Sequence, residues 1–216
     1  MMPRHHPGSG WLMDYACGHL SPAFEIVIAS HLLGCPACRE DLRAAEVVGA
    51  EFMLASDGPP LALTADAIMD SAARTPAFDY RSSGSRLPQT VDLTGLVSSY
   101  LSISLDALRW RGGAGGVWIA KLRDHDDDRL WLLRARPGAV LPRHTHRGSE
   151  LTLVLQGAYV VGEQVFSVGA LEDADEETSH QPIVTTTGEC VCLAATSAPL
   201  RFDGWAARLA QRFLGI

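Results

Sequence analysis

The sequence predicts an α+β protein in two parts, a small N-terminal helical domain followed by a C-terminal β-barrel or jelly roll. Three observations carry this. Apolar residues recur at helical spacing up to about residue 75. Short β-type runs with turn signals between them take over beyond residue 88. A stretch rich in Ser, Gly, Arg and Pro lies between the two. The expected division is a helical domain at 1–75, a linker at 76–88 and a barrel at 89–216.

In the helical part, a short helix is expected from Trp11 to Cys17, closed by Gly18. Ser21-Pro22 reads as an N-cap followed by proline at the first helical position. Phe24, Ile28 and Leu32 then recur at spacing four. Pro36 restarts a helix that carries Leu42, Val47 or Val48, and Phe52 with Leu54, and fades at Ser56-Asp57-Gly58-Pro59-Pro60. Another begins near Thr64, with Ala65, Ile68, Met69 and Ala72 as an apolar face that either packs on its own domain or docks in a partner's groove.

Beyond the linker, the strand candidates are Val117–Ala120, Leu130–Ala135, Leu151–Leu155, Tyr159–Val161, Val165–Val168 and Cys190–Ala194. Gly112 to Gly116 lacks the Gly-Lys-Ser/Thr ending of a phosphate-binding loop and reads as a turn. Trp205 to Leu214 reads as a short amphipathic helix.

Composition narrows the function. A net charge of −7 disfavours direct nucleic-acid binding, which needs a basic surface, and suits a basic protein partner. The longest apolar run, Ala23 to Leu33, is broken by Glu25, Ser30 and His31 and is too short to span a bilayer; no signal-peptide core precedes it. A cytoplasmic protein without a membrane role is expected. Five cysteines, an odd number, do not suggest a disulfide framework. Cys17 is expected in the core.

Two residue clusters carry chemistry. His31-Leu-Leu-Gly-Cys35-Pro-Ala-Cys38 offers three soft ligands at a point where two helices meet, a set that suits Zn²⁺. One tetrahedral position is left, and His5 or His6 can fill it. Four short helices bury little apolar surface, so a metal here would supply folding free energy. The second cluster is Gly138, His144, His146, Glu150 and Gly157, followed by Gly169 and His180. Residues 144 and 146 share one face of a strand, and three imidazoles with a carboxylate suit Zn, Fe, Mn or Ni.

The second pattern resembles the cupin family. Its first motif is matched at Gly138, His144, His146, Glu150 and Gly157, and its second in spacing by Gly169 and His180. Asp175 and Glu177 stand where that family has Pro and Gly, and Val184 where it has Asn. With the N-terminal cluster, nearly the whole chain resembles the ChrR-like anti-sigma factors, a zinc-binding anti-sigma domain joined to a cupin-like domain. The resemblance implies that the N-terminal domain binds an extracytoplasmic-function sigma factor, as a 1:1 heterodimer, and keeps it from RNA polymerase. It implies release under singlet-oxygen stress through the cupin domain. It also implies one zinc site at His6, His31, Cys35 and Cys38 and a second at His144, His146, Glu150 and His180, with Fe, Mn or Ni as alternatives in the second. Cys190 and Cys192 face the same side of a strand and are candidate redox-sensitive residues or small core residues. The alternative function is a cupin metalloenzyme of dioxygenase type with a helical appendage.

Overall fold

A computed structural model describes residues 5–56, 64–74, 92–125 and 127–203. The helices are α1 (Ser9–Ala16), α2 (Pro22–Gly34), α3 (Pro36–Ala55), α4 (Ala65–Arg74) and α5 (Leu93–Tyr100). The strands are β1 (Arg111–Gly112), β2 (Val117–His125), β3 (Asp128–Ala135), β4 (His144–Thr145), β5 (Glu150–Gln156) and β6 (Ala158–Val161), then β7 (Gln164–Ser167), β8 (Leu171–Ala174), β9 (Ser179–His180), β10 (Ile183–Val184), β11 (Cys190–Thr196) and β12 (Arg201–Phe202). The expected α+β fold is therefore present, helices first. The expected linker at 76–88 and the tail helix at 205–214 lie outside the described residues. Among the described residues, those up to 45 group in space with those from 92 onward, and those from 46 to 74 form a second unit.

All strand pairs are antiparallel. The largest sheet runs β1-β2-β3-β11-β5-β8, and two three-stranded sheets run β10-β6-β7 and β12-β4-β9. Strand alternation splits the large sheet between two cores. Leu130, Leu132, Leu151, Leu153, Leu171, Val191 and Leu193 pack with Phe24, Val27, Ile28 and Leu32 of α2 and with Leu93 and Val97 of α5. The alternate residues of β3, β5 and β11, among them Ala135, Val154, Cys190 and Cys192, join Tyr159, Phe166 and Val184 in the other core. This explains why β11 is buried along its whole length and reads as a continuous apolar run.

The stripe Phe24–Ile28–Leu32 thus buries itself on the sheet's outer face. Phe24 also stacks on Trp11 of α1, with centroids 5.0 Å apart. Gly18, at φ +67°, ends the first helical segment as expected. Cys17 does not belong to the core: it is exposed, because α1 turns only Leu12 fully inward.

The start of α2 differs from the sequence expectation in its chemistry. Ser21 makes no capping bond of its own to the helix. Asp128 of β3 supplies the cap, its Oδ1 accepting from the Ala23 N–H at 2.7 Å and from the Ser21 hydroxyl at 2.8 Å. Its other oxygen pairs with Arg123. Burial pushes the Asp128 carboxyl up, but the Ala23 N–H, Arg123 and Ser21 outweigh it and hold the group below its usual value. A carboxylate with a lowered folded-state pKa stabilises the fold above its unfolded value, and that contribution disappears as pH falls through the folded value. Asp128→Asn should therefore cost about 1.5–3 kcal/mol at neutral pH. The gap to wild type in urea unfolding should close as pH drops below about 4. A gap independent of pH would show that the charge is not what holds α2.

Candidate metal centres

The first cluster forms where the α2–α3 junction meets an N-terminal strap. His31 lies in the last turn of α2, Cys35 between the helices and Cys38 in the first turn of α3. The strap runs along β8, where the Leu171 N–H donates to the His5 carbonyl. This places the His6 ring over the junction and sends His5 elsewhere, onto Phe166 at 4.3 Å between centroids. His6 Nδ1 lies 3.4 Å from Cys35 Sγ and 3.3 Å from Cys38 Sγ, and His31 Nε2 lies 3.2 Å from Cys38 Sγ. All four ligand atoms fall within 4.8 Å of one another. Zinc bonds of about 2.0 Å to nitrogen and 2.3 Å to sulfur, at tetrahedral angles, put ligand atoms roughly 3.3–3.8 Å apart, so the donor set fits the ion.

The environment fixes the state of two of these donors, His31 and Cys38. His31 donates from Nδ1 to the Gly169 carbonyl at 3.0 Å, since a carbonyl only accepts, and this leaves Nε2 bare on the cysteine side. Burial, and the neighbouring His6, lower its pKa to about 4 despite that bond, so the ring is neutral at pH 7. Burial and the adjacent Cys35 thiol push Cys38 up to about 12. A metal binding here must displace thiol protons, so its affinity falls with falling pH.

The second cluster lies inside the barrel. His144 on β4 and His180 on β9 are register partners across one ladder. His146 follows β4, and Glu150 opens β5. All four are buried. Each imidazole spends its Nδ1 proton on an acceptor: His144 on the Pro142 carbonyl at 2.9 Å, His146 on the Asp175 carbonyl at 3.2 Å, and His180 on the Glu172 carboxylate at 2.8 Å. Their bare Nε2 atoms therefore converge, with His144 and His180 2.8 Å apart. Two bare nitrogens at that distance repel unless a cation or proton lies between them. Burial pushes the His144 pKa down, which disfavours the proton. His146 Nε2 and Glu150 Oε2 approach to 3.3 Å, yet both are buried without a hydrogen-bond partner. Against their burial each favours the charged form of the other, Glu150 raising the His146 pKa and His146 lowering that of Glu150, a balance of charge that a bound cation would replace. Orphaned buried donors around one point fit a cation. The three imidazoles and carboxylate suit Zn, Fe, Mn or Ni.

Cys190 and Cys192 lie side by side in the inner core, with sulfurs 3.6 Å apart and both thiols free. The hydrogen bond that the Cys192 thiol donates to Cys190, together with burial, pushes Cys192 well above the usual thiol range. A protonated buried thiol is a poor nucleophile.

Sequence reasoning missed the groups behind the ligands. Glu172 holds His180, Tyr159 holds Glu172, and Asp128 caps α2. For Glu172 a signal existed: in Leu171-Glu-Asp-Ala174 strand alternation puts either Glu172 or Asp173 inward. The departures at Asp175 and Glu177 form a hydrogen-bonded turn, in which Asp175 Oδ1 accepts from the Glu177 and Thr178 N–H groups and the Asp175 carbonyl accepts from His146.

Residues 98–199 match the family model described as the ChrR cupin-like domain. The anti-sigma-E factor ChrR of Cereibacter sphaeroides is 37% identical over a 222-residue alignment that spans the whole of both chains. This chain belongs to the ChrR anti-sigma factor family. A crystal structure of Rhodobacter sphaeroides SigE in complex with the anti-sigma ChrR superposes with a TM-score of 0.71 at 36% identity, covering 89% of this chain and 98% of that one. Among the described residues no helix is long and apolar enough to cross a membrane.

Proposed function

We propose that this ChrR-family chain is an anti-sigma factor that binds an extracytoplasmic-function sigma factor 1:1 through its helical segment and keeps it from RNA polymerase. The full-length identity to anti-sigma-E factor ChrR carries this reading, supported by the likeness to ChrR bound to SigE. The surface of the helices supports it too. Phe52, Met53 and Leu54 at the end of α3 are 73, 79 and 82% exposed, and Ile68 and Met69 of α4 are exposed as well. Large apolar side chains in such a run suit a partner's groove. The acidic net charge suits a partner with a basic nucleic-acid-binding surface.

Both clusters hold zinc in this reading: His6, His31, Cys35 and Cys38 at the helix junction, and His144, His146, Glu150 and His180 in the cupin domain. The first ion is structural, because it ties the strap, α2 and α3 together. The oxidisable imidazoles of the second cluster form the oxidation-sensitive part, through which singlet-oxygen stress weakens the hold on the sigma factor, while the buried Cys190 and Cys192 serve as core residues. The protein acts in the cytoplasm, where its partner meets RNA polymerase.

The test is co-purification of the tagged full-length chain from its host under zinc. A stoichiometric sigma factor is expected, and Phe52→Asp with Met53→Asp should remove it without loss of zinc or of α-helical signal. Recovery of no sigma factor from cells shown to express one would overturn the reading.

A further inference from the structure

We propose that Glu172 is a positioning residue for the second centre, setting which nitrogen of His180 faces the metal. This rests on the reading that His144, His146, Glu150 and His180 hold an ion. Histidine binds metal through a bare nitrogen, and the partner of the other nitrogen decides which one is bare. For His144 and His146 that partner is a backbone carbonyl. For His180 it is the Glu172 side chain, so this tautomer depends on one residue. Both carboxylate oxygens are spent: Oε1 accepts from His180 Nδ1 at 2.8 Å and Oε2 from the Tyr159 hydroxyl at 2.6 Å. Glu172 and Tyr159 are buried, and the Tyr159 ring is stacked on Phe166 with centroids 5.2 Å apart. The phenol thus locks the carboxylate, and the carboxylate locks the imidazole. Next to Glu172 on the ladder stands Thr152, whose hydroxyl donates to Glu150 Oε1 at 2.9 Å, so the carboxylate ligand is oriented from the same patch of sheet.

The test is zinc release from the zinc-loaded full-length chain to a competing chelator, with long-range ¹H–¹⁵N NMR of the histidine rings. Glu172→Ala should weaken zinc at the second centre about 10–100-fold and leave the first centre unchanged. Glu172→Gln, close in shape and still an acceptor, should lose less. In the wild type the zinc-loaded His180 ring should carry its proton on Nδ1, and in Glu172→Ala that assignment should be lost. Should Glu172→Ala fold poorly, Glu172→Gln and Tyr159→Phe carry the same test, because each loosens the chain without emptying the core. Unchanged second-site affinity with an unchanged His180 tautomer would overturn the assignment to Glu172. A wild-type chain that takes up zinc only at the first centre would overturn the metal reading itself, a result visible before any variant is made.

Discussion

Full-length chain carrying Cys35→Ser and Cys38→Ser is expected to hold one metal ion where the wild type holds two, and to lose its sigma factor. The two thiols supply both sulfur donors of the first cluster, and no other cysteine is near enough to replace them: Cys17 is exposed, and Cys190 and Cys192 lie in the barrel's inner core. The energetic effect is large because structural zinc contributes about 10–16 kcal/mol of apparent binding free energy in small zinc domains at pH 7. Only part of that appears as lost stability here, since α2 keeps its hold on the sheet through Phe24, Val27, Ile28 and Leu32. The loss falls on the strap and on α3, whose only buried residue is Cys38. Hydrogen exchange should therefore speed up at residues 36–45 and around His6 while β3, β5 and β11 stay protected. The pH dependence of loading has a definite sign. His31 is already neutral at pH 7, and Cys38 is protonated when metal-free, so uptake releases protons and weakens toward acid. Metal content by elemental analysis with exchange by mass spectrometry checks this; unchanged metal content would remove the first centre.

Gly157→Ala should lower stability by about 3 kcal/mol or more, a Tm drop of roughly 10 °C in a chain of this size. Gly157 sits at φ +71° between β5 and β6, where an L side chain is strained. A Cβ there would also overlap the Glu189 carbonyl and the Cys190 backbone, at the entry of the central strand β11. Gly162 provides the control. It has φ +58° in the β6–β7 turn, but a Cβ there meets nothing, so Gly162→Ala should cost only the left-handed penalty of about 1–2 kcal/mol. Calorimetry on both variants separates the two terms, and equal losses would show that the close approach at Gly157 has no consequence.

Much of this molecule was legible from residue order. Local rules place helix boundaries, so Gly18, Pro22 and Pro36 stand where the described helices end and begin. Period-two runs and turn signals located β2, β3, β5, β6, β7 and β11. The two-residue pieces β1, β9, β10 and β12 were not found, because two residues carry no period; the four-residue β8 was missed as well, and α5 was missed within a run of mixed residues after the linker. Candidate ligand chemistry is also local: spacing alone gathered His31, Cys35 and Cys38, and spacing with a family resemblance gathered His144, His146 and His180, whose ligand atoms converge, with Glu150 beside His146.

Tertiary structure decided what depends on distant partners. The residues left His5 and His6 open and only the family resemblance favoured His6; the physical reason lies in the strap, which pairs with Leu171 far along the chain. Ser21 looked like a cap, yet Asp128 caps α2 across 105 residues. Sequence patterns record the direction a residue faces within its own element. They do not record which carboxylate another element brings to it, and a buried polar group is satisfied by whichever partner the packing delivers. For that reason the candidate metal-binding residues could be read from the sequence, while Glu172, Tyr159 and Asp128, which orient His180 and hold α2 on the sheet, emerged only from the fold.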